Sequence, residues 1–138
     1  MAVTVKKIVI WRTDIAHQPG ELARALEPLA AAGANLQVIM GYAEGDRGIV
    51  EIGALTGKKI TDAATRAGFV ASSKPTLVIE GDDRPGLGAR IAGAIAAQGV
   101  SISFDVTQVI GKKFSSVYGF HTSDDANAAT AAIKKAAR

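Results

Sequence analysis

The chain has 138 residues, of which 48% are apolar and 21% are charged, a balance typical of a globular protein. Its formal charge of +3 permits a nucleic-acid partner but does not require one. The absence of cysteine excludes disulfides, thiolate metal ligands and cysteine nucleophiles. The apolar run near the N-terminus is shorter than a signal peptide or a membrane span needs, so we expect a cytoplasmic protein without a membrane anchor.

The first predicted strand covers Lys7–Arg12, where β-branched and aromatic residues follow one another. A break follows, and then Leu22, Leu26 and Leu29 recur at the spacing of one helix face. Gly33 is placed to end this helix.

The rest of the first half continues with two strands and a helix. In 36–42 every second residue, Leu36, Val38, Met40 and Tyr42, falls on one face, which predicts a half-buried strand. Residues 49–55 form a returning strand after a glycine-containing turn. Apolar positions in 60–67 predict a second, shorter helix. A brief edge strand follows within 69–73.

The second half repeats this order of elements. Residues 76–80 read as a strand, and Pro85 is placed for the first turn of a helix. Strands are predicted at 102–107 and 114–122. Ser123 is a candidate N-cap for the last helix, which carries acidic residues in its first turn and basic residues in its last.

The two halves are also related residue by residue, at an offset of 66 positions without a gap. The offset superposes identical residues in the turn and in the helix that follows it. The identical pairs include Pro19 and Pro85, Gly20 and Gly86, Ala23 and Ala89, Arg24 and Arg90, and Gly33 and Gly99. A match of this length indicates an internal repeat.

The order β-α-β-β-α, present twice, together with alternating central strands, predicts an α+β fold. We expect two ferredoxin-like units in tandem, each an antiparallel sheet with helices on one face. Residues 1–73 form the first unit and 74–138 the second. The last strand of the second unit is expected to be missing, because the chain ends in a helix.

No catalytic or cofactor motif is complete in the sequence. Ile91 stands where the dinucleotide fingerprint requires a glycine, and the glycines in 53–59 are too close for a phosphate loop. His17 and His121 have no Cys, Glu or third His at ligand spacing. We therefore expect neither an enzyme nor a bound cofactor or metal.

One alternative is a single-stranded nucleic-acid-binding module. Tyr118 and Phe120 share a strand face beside Lys112 and Lys113, and exposed rings on such a strand stack on bases. The other register would bury both rings with the apolar positions of the preceding strand, Ile102, Phe104 and Val106. Only 5% of the residues are aromatic, so we favour burial and do not expect a nucleic-acid partner.

The repeated turn is the strongest candidate for a site. A helix N-terminus presents unpaired N–H groups and the positive end of the helix dipole, and a preceding glycine lets a ligand approach the backbone. Such a place suits a carboxylate. Asp82 or Asp83 could meet an ammonium group, and a carboxylate with an ammonium group describes an α-amino acid.

The segment "DDRPGLGARIAGAIAAQGVSI" resembles the Asp-x-Pro-Gly motif of ACT domains, and the whole chain is similar to small tandem ACT-domain proteins. The first copy departs from the motif, since His17 and Gln18 precede Pro19. The asparagine of the family pattern is present as Asn35 but is replaced by Ser101 in the second copy.

ACT domains are usually regulatory, so the resemblance implies an allosteric protein that binds a small amino acid or a related carboxylate at the two loops and at unit interfaces. The implied ligand-binding residues are Asp82, Asp83, Arg84, Pro85, Gly86, Leu87, Gly88 and Ser101 in the second copy, and His17, Gln18, Pro19, Gly20 and Asn35 in the first. It also implies a homo-oligomer or a metabolic-enzyme partner.

Two further expectations come from the residues. Ile39, Ile49 and Leu55 are predicted to lie on a sheet face away from the helices, and such an apolar patch favours a homodimer or a contact between units. An acylphosphatase-like hydrolase is a third function class, because Arg84 lies in a glycine-containing loop after a strand, although the rest of that loop differs.

Overall fold

A computed structural model describes residues 3–138 and divides the chain into two compact units. The N-terminal unit is Val9–Ser73. The C-terminal unit combines Lys74–Arg138 with the residues up to Ile8. Each unit contains a four-stranded antiparallel sheet and two helices.

The N-terminal unit contains β2 (Trp11–Ala16), α1 (Glu21–Ala31), β3 (Val38–Glu44), β4 (Arg47–Gly53), α2 (Lys58–Arg66) and β5 (Val70–Ala71). Its strands lie in the order β3-β4-β2-β5.

The C-terminal unit contains β1 (Thr4–Ile8), β6 (Thr76–Asp82), α3 (Leu87–Ala97), β7 (Phe104–Ile110), β8 (Lys113–Gly119) and α4 (Ser123–Ala136). Its strands lie in the order β1-β6-β8-β7. No helix within residues 3–138 has both the length and the apolarity needed to cross a membrane.

The N-terminal segment departs from the sequence prediction. The expected strand Lys7–Arg12 is two strands, because the chain leaves one sheet after Ile8 and enters another at Trp11. β1 pairs with β6 from Thr4 opposite Glu80 to Ile8 opposite Thr76. The place of the expected missing strand is therefore filled by residues assigned from the sequence to the first unit.

Cross-strand pairs in the N-terminal sheet recur in the C-terminal sheet at positions 66 residues later. Trp11 lies opposite Ile52 in one sheet, and Leu77 lies opposite Tyr118 in the other. Likewise Val38 faces Gly53, and Phe104 faces Gly119. Three strands of each sheet therefore place equivalent sequence positions on equivalent faces.

The core of the C-terminal unit lies between its sheet and its helices. The inward side chains recur every fourth residue on α3 and alternate along the central strands. They include Leu87, Ile91 and Ile95 from α3, Leu77 and Ile79 from β6, Phe114 and Tyr118 from β8, and Ala126, Ala129 and Ile133 from α4. The predicted burial of Ile91 and Ile95 is confirmed.

The expectation that Phe104 belongs to this core is wrong. Asp105, not Phe104, lies opposite Tyr118, so Phe104 points to the other face of the sheet. There its ring covers Gly119, where an added Cβ would stand 2.1 Å from a ring carbon. Val106 shares that face and is half exposed. The alternation along this strand was predicted correctly, but the set of side chains that faces the helices was not.

The core of the N-terminal unit is formed by Leu29, Val50, Ile52, Ala64 and Phe69. Leu26 and Leu55 pack against it as partly buried side chains. Ile39 lies opposite Ile52 and so shares the helix-facing side, whereas Ile49 lies on the other side. The apolar patch expected from Ile39, Ile49 and Leu55 is therefore not one surface, and the argument for a homodimer from that patch fails.

Because β1 is held in the sheet through its pairing with β6, a variant lacking residues 1–8 should lose hydrogen-exchange protection in Thr76–Glu80. Exchange followed by mass spectrometry measures this effect. The β2–β4 pairs of the N-terminal unit provide the internal control and should keep their protection. Unchanged protection of β6 would contradict the assigned strand pairing.

Ile95 is fully buried, so Ile95→Ala should lower the free energy of unfolding by about 2–5 kcal/mol in denaturant melts. Ile110→Ala removes the same atoms from a side chain that is 66% exposed, so its effect should stay within about 0.5 kcal/mol. Equal losses in the two variants would show that the helix-facing side is misassigned.

Candidate functional site

The two repeated turns have the same backbone geometry. Gly86 precedes α3 with φ 80° and ψ −1°, and Gly20 precedes α1 with φ 84° and ψ −11°. Both are left-handed conformations, which glycine adopts without the strain that a Cβ adds. The glycine of the Pro-Gly pair is thus required by the turn itself in both copies.

Neither helix has a side chain that caps its N-terminus. Leu87 N–H donates to the Arg84 carbonyl over a long 3.3 Å, while Gly88 is exposed at the next position. A Cβ added to Gly88 would meet no atom within 4 Å. The start of α3 is therefore an open place where backbone N–H groups and the helix dipole favour an anion.

The two aspartates before α3 are in different situations. Asp82 forms an ion pair with Lys113, which lies directly opposite on β8, and this hydrogen bond lowers the pKa of the Asp82 carboxyl. Asp83 has an exposed side chain, and its N–H donates to the Lys112 carbonyl at 2.8 Å. Asp83 is consequently the carboxylate of the loop that remains available to a ligand ammonium group.

Arg84 lies against the C-terminal end of α4. Its Nη2 donates to the main-chain oxygen of Arg138 at 3.5 Å, and its Nε is buried without a hydrogen-bond partner. The guanidinium is therefore turned toward α4. The glycine-rich arginine loop of an acylphosphatase-like enzyme finds no support in this placement.

The first loop is more exposed than the second and carries no carboxylate before its Pro-Gly pair. His17, Gln18 and Pro19 are all solvent-exposed. Gln18 N–H donates to the Ala16 carbonyl at 3.0 Å, which shapes the turn. Among residues 3–138 no group of three or more His, Asp or Glu side chains could hold a metal ion.

The structure separates Ser101 and Asn35 from the loops with which the sequence grouped them. Ser101 follows α3, so it lies at the C-terminal end of a helix about 16 Å long whose N-terminus is at Gly86. Asn35 has the same relation to α1 and Gly20. Within each unit these two residues therefore cannot join the loop in one small site.

The rings proposed for nucleic-acid stacking are buried. Tyr118 is 2% exposed and Phe120 is 0% exposed, with ring centroids 6.4 Å apart. Burial raises the pKa of the Tyr118 hydroxyl, and the nearby Asp105 carboxylate adds to this. The expectation of core placement is confirmed for both rings, and neither can stack on a base.

A polar network on the N-terminal sheet was not found from the sequence. It lies on the face opposite the helices, which we call the helix-free face. The buried Glu51 carboxylate accepts a hydrogen bond from Tyr42 Oη at 2.9 Å and lies 3.8 Å from Arg12 Nη1. Arg12 and Arg47 both pair with Asp14. Alternation groups Arg12 with Asp14 on one strand and Arg47 with Glu51 on another, but the register between strands decides that they share a face and form ion pairs.

We compared the chain with known protein families, sequences and structures. No protein-family model matches the chain, and a comparison with curated protein sequences finds no match. The regulatory subunit of aspartate kinase from Thermus thermophilus superposes with a TM-score of 0.70 and 21% identity, covering 100% of this chain and 98% of that one.

Two other solved structures give the same result. A protein from Bacteroides thetaiotaomicron has a TM-score of 0.75 at 18% identity and covers 92% of this chain and 89% of its own. A putative C-terminal regulatory domain of aspartate kinase from Porphyromonas gingivalis has a TM-score of 0.58 at 15% identity, covering 96% and 95%. The chain therefore shares the tandem ferredoxin-like fold of these proteins, as the order of its elements predicts.

Burial and the Glu51 carboxylate raise the pKa of Tyr42 to about 12. The folded protein thus holds this proton more tightly than the unfolded chain, so its contribution to stability is complete below the ordinary tyrosine pKa of 10.0 and is lost as pH rises toward about 12. In an ultraviolet titration, subtracting the Tyr42→Phe variant from the wild type should give a midpoint well above 10.0. Ionisation of Tyr42 near its ordinary pKa would contradict the hydrogen bond to Glu51.

Proposed function

We propose that this chain is a regulatory protein that binds a small amino acid or a related carboxylate at the loop Asp82–Gly88 and catalyses no reaction itself. The observation that carries the proposal is the glycine turn before α3, which ends in a helix N-terminus without a side-chain cap. This arrangement offers N–H donors and positive potential in a place open to solvent.

In the proposed complex the ligand carboxylate accepts hydrogen bonds from the backbone at Gly88 and the next residue of α3. Pro85 and Gly86 shape the turn, and the buried Leu87 anchors the helix start in the core. Asp83 meets the ligand ammonium group, because Asp82 is already paired with Lys113. Ser101 is left out of this site because it lies at the other end of α3.

The loop of the first repeat is a weaker second site. Gly20 repeats the left-handed turn, and α1 likewise has no side-chain cap. His17 and Gln18 replace the acidic pair, so the ligand ammonium group has no carboxylate partner before Pro19. We propose that this loop binds an anion less selectively than the loop before α3.

Regulation is supported by the fold, since solved structures with the same tandem arrangement are regulatory subunits or domains of aspartate kinase. We propose that ligand binding alters the association of this chain with a metabolic enzyme, or with a second copy of itself, in the cytoplasm. The absence of a recognisable catalytic motif in the sequence is consistent with such a role.

A thermal-shift screen against the twenty amino acids tests the proposal. A ligand at a hundred times its dissociation constant should add about 2.7 kcal/mol of stability. Calorimetry on the best hit should then show binding to the wild-type protein. A screen without any hit would contradict amino-acid binding.

Gly88→Ala should weaken binding of that hit by at least about tenfold, because the added methyl group enters the open space beside the helix N-terminus. The same change favours the helix by about 0.5–1 kcal/mol, so lost binding cannot be attributed to unfolding. Substitution of Gly86 is a poorer test, because its φ of 80° makes any side chain there strained.

Gly93→Ala is the matched control. Gly93 lies on the exposed side of the same helix and also has no atom within 4 Å of an added Cβ. It should gain similar stability and keep wild-type affinity. Equal affinity in all three proteins would place the ligand away from the start of α3.

A further inference from the structure

A cleft of about 530 Å³ lies on the helix-free face of the C-terminal sheet and is distinct from the start of α3. Its floor is built from two neighbouring cross-strand rows. One row is Thr4, Glu80, Ser115 and Gln108, and the other is Asp82, Lys113 and Ile110. All seven residues line the cleft.

Among the described residues that line this cleft, the charges do not balance. Asp82 and Lys113 lie directly opposite each other and pair. Glu80 is exposed and makes no ion pair within the part of the chain that the structure describes. Lys6 shares the face but lies in the next row, opposite Val78, and is not within ion-pair distance of Glu80.

The internal repeat shows what occupies the equivalent place in the N-terminal unit. Asp14 is the residue 66 positions before Glu80, and it pairs with both Arg12 and Arg47. In the N-terminal unit, two guanidinium groups of the chain therefore neutralise the carboxylate at this position.

Two substitutions between the repeats explain why Glu80 lacks such partners. Val78 stands at the position equivalent to Arg12, which removes one cation. Lys113 is equivalent to Arg47, but Asp82 has replaced Ala16 directly opposite it and binds the ammonium group instead. The acidic residue is retained, while one of its bases is absent and the other is paired with Asp82.

We propose that the cleft binds a small organic cation, whose guanidinium or primary ammonium group pairs with Glu80. Ser115, Gln108 and Thr4 supply oxygen acceptors in the same row. Ile110 is 66% exposed and lies two strands across and two residues along from Glu80, about 12 Å between Cα atoms, where it can cover an aliphatic part of the ligand. Within residues 3–138, Glu80 is a single unpaired carboxylate beside the Asp82–Lys113 ion pair. One carboxylate suits a ligand with one positive charge better than a metal ion, which requires several oxygen ligands.

Titration with n-butylguanidinium, followed by amide chemical shifts of the whole chain, tests this proposal. We expect saturable shifts at Glu80, Gln108 and Ser115. The neutral isostere n-butylurea should bind at least about tenfold more weakly, because it cannot form the ion pair. Comparable shifts with the urea would overturn the proposal.

Glu80→Gln keeps the size of the side chain and should weaken binding of n-butylguanidinium by at least about tenfold. Glu80 is exposed, so the variant should retain the dispersed spectrum of the folded protein. Asp14→Asn, at the equivalent position of the other unit, is the matched control and should leave the affinity unchanged. Wild-type affinity in Glu80→Gln, or loss of binding in Asp14→Asn, would overturn the assignment to this cleft.

The outcome is separable from that of the loop site. Gly88 lies in α3, on the helix side of the sheet, so Gly88→Ala should leave binding of n-butylguanidinium unaffected. Loss of cation binding in that variant would show that the two sites are one and would contradict a separate cleft.

Discussion

Each sheet has to bury one face under its two helices, and the rest of the structure depends on this constraint. Strand side chains alternate between faces, so once Leu77 and Ile79 point inward, Val78 and Glu80 must point outward. The helices then have to start where the central strand ends. This brings a glycine turn and a helix N-terminus to the same edge in both units.

The two repeats differ in the residues on their helix-free faces. The helix-facing cores stay mainly apolar in both, because burying an unpaired polar group is costly, and the buried Ser116 is hydrogen-bonded to Thr107. The helix-free faces carry the variation: a closed network around Asp14 and Glu51 in one unit, and an incompletely paired row around Glu80 in the other. Repetition of the fold therefore preserves a scaffold and permits the polar chemistry of one face to diverge.

The loop before α3 links the two proposed sites without merging them. Asp82 ends β6 on the helix-free face and is held by Lys113, whereas Gly86 begins the turn into the helix on the other side of the sheet. Three residues thus separate an ion pair on one face from an open helix N-terminus on the other. A change in either environment acts on the same short segment of backbone.

The repeat, the order of elements and the glycine turns could all be predicted from the sequence, since these depend on local periodicity and on backbone conformations that glycine favours. The sequence predicted the burial of Ile91 and Ile95 for the same reason, and the burial of Phe120 from the scarcity of aromatic residues. The partner of β1 could not be predicted, because nothing in five strand residues specifies which sheet edge they join. The tertiary structure also decided the face on which Phe104 lies and the separation of Ser101 from its loop, since both follow from register and helix length across the unit. The imbalance at Glu80 became visible only when two distant segments were aligned as neighbouring strands, because an ion pair depends on proximity in space and not in sequence.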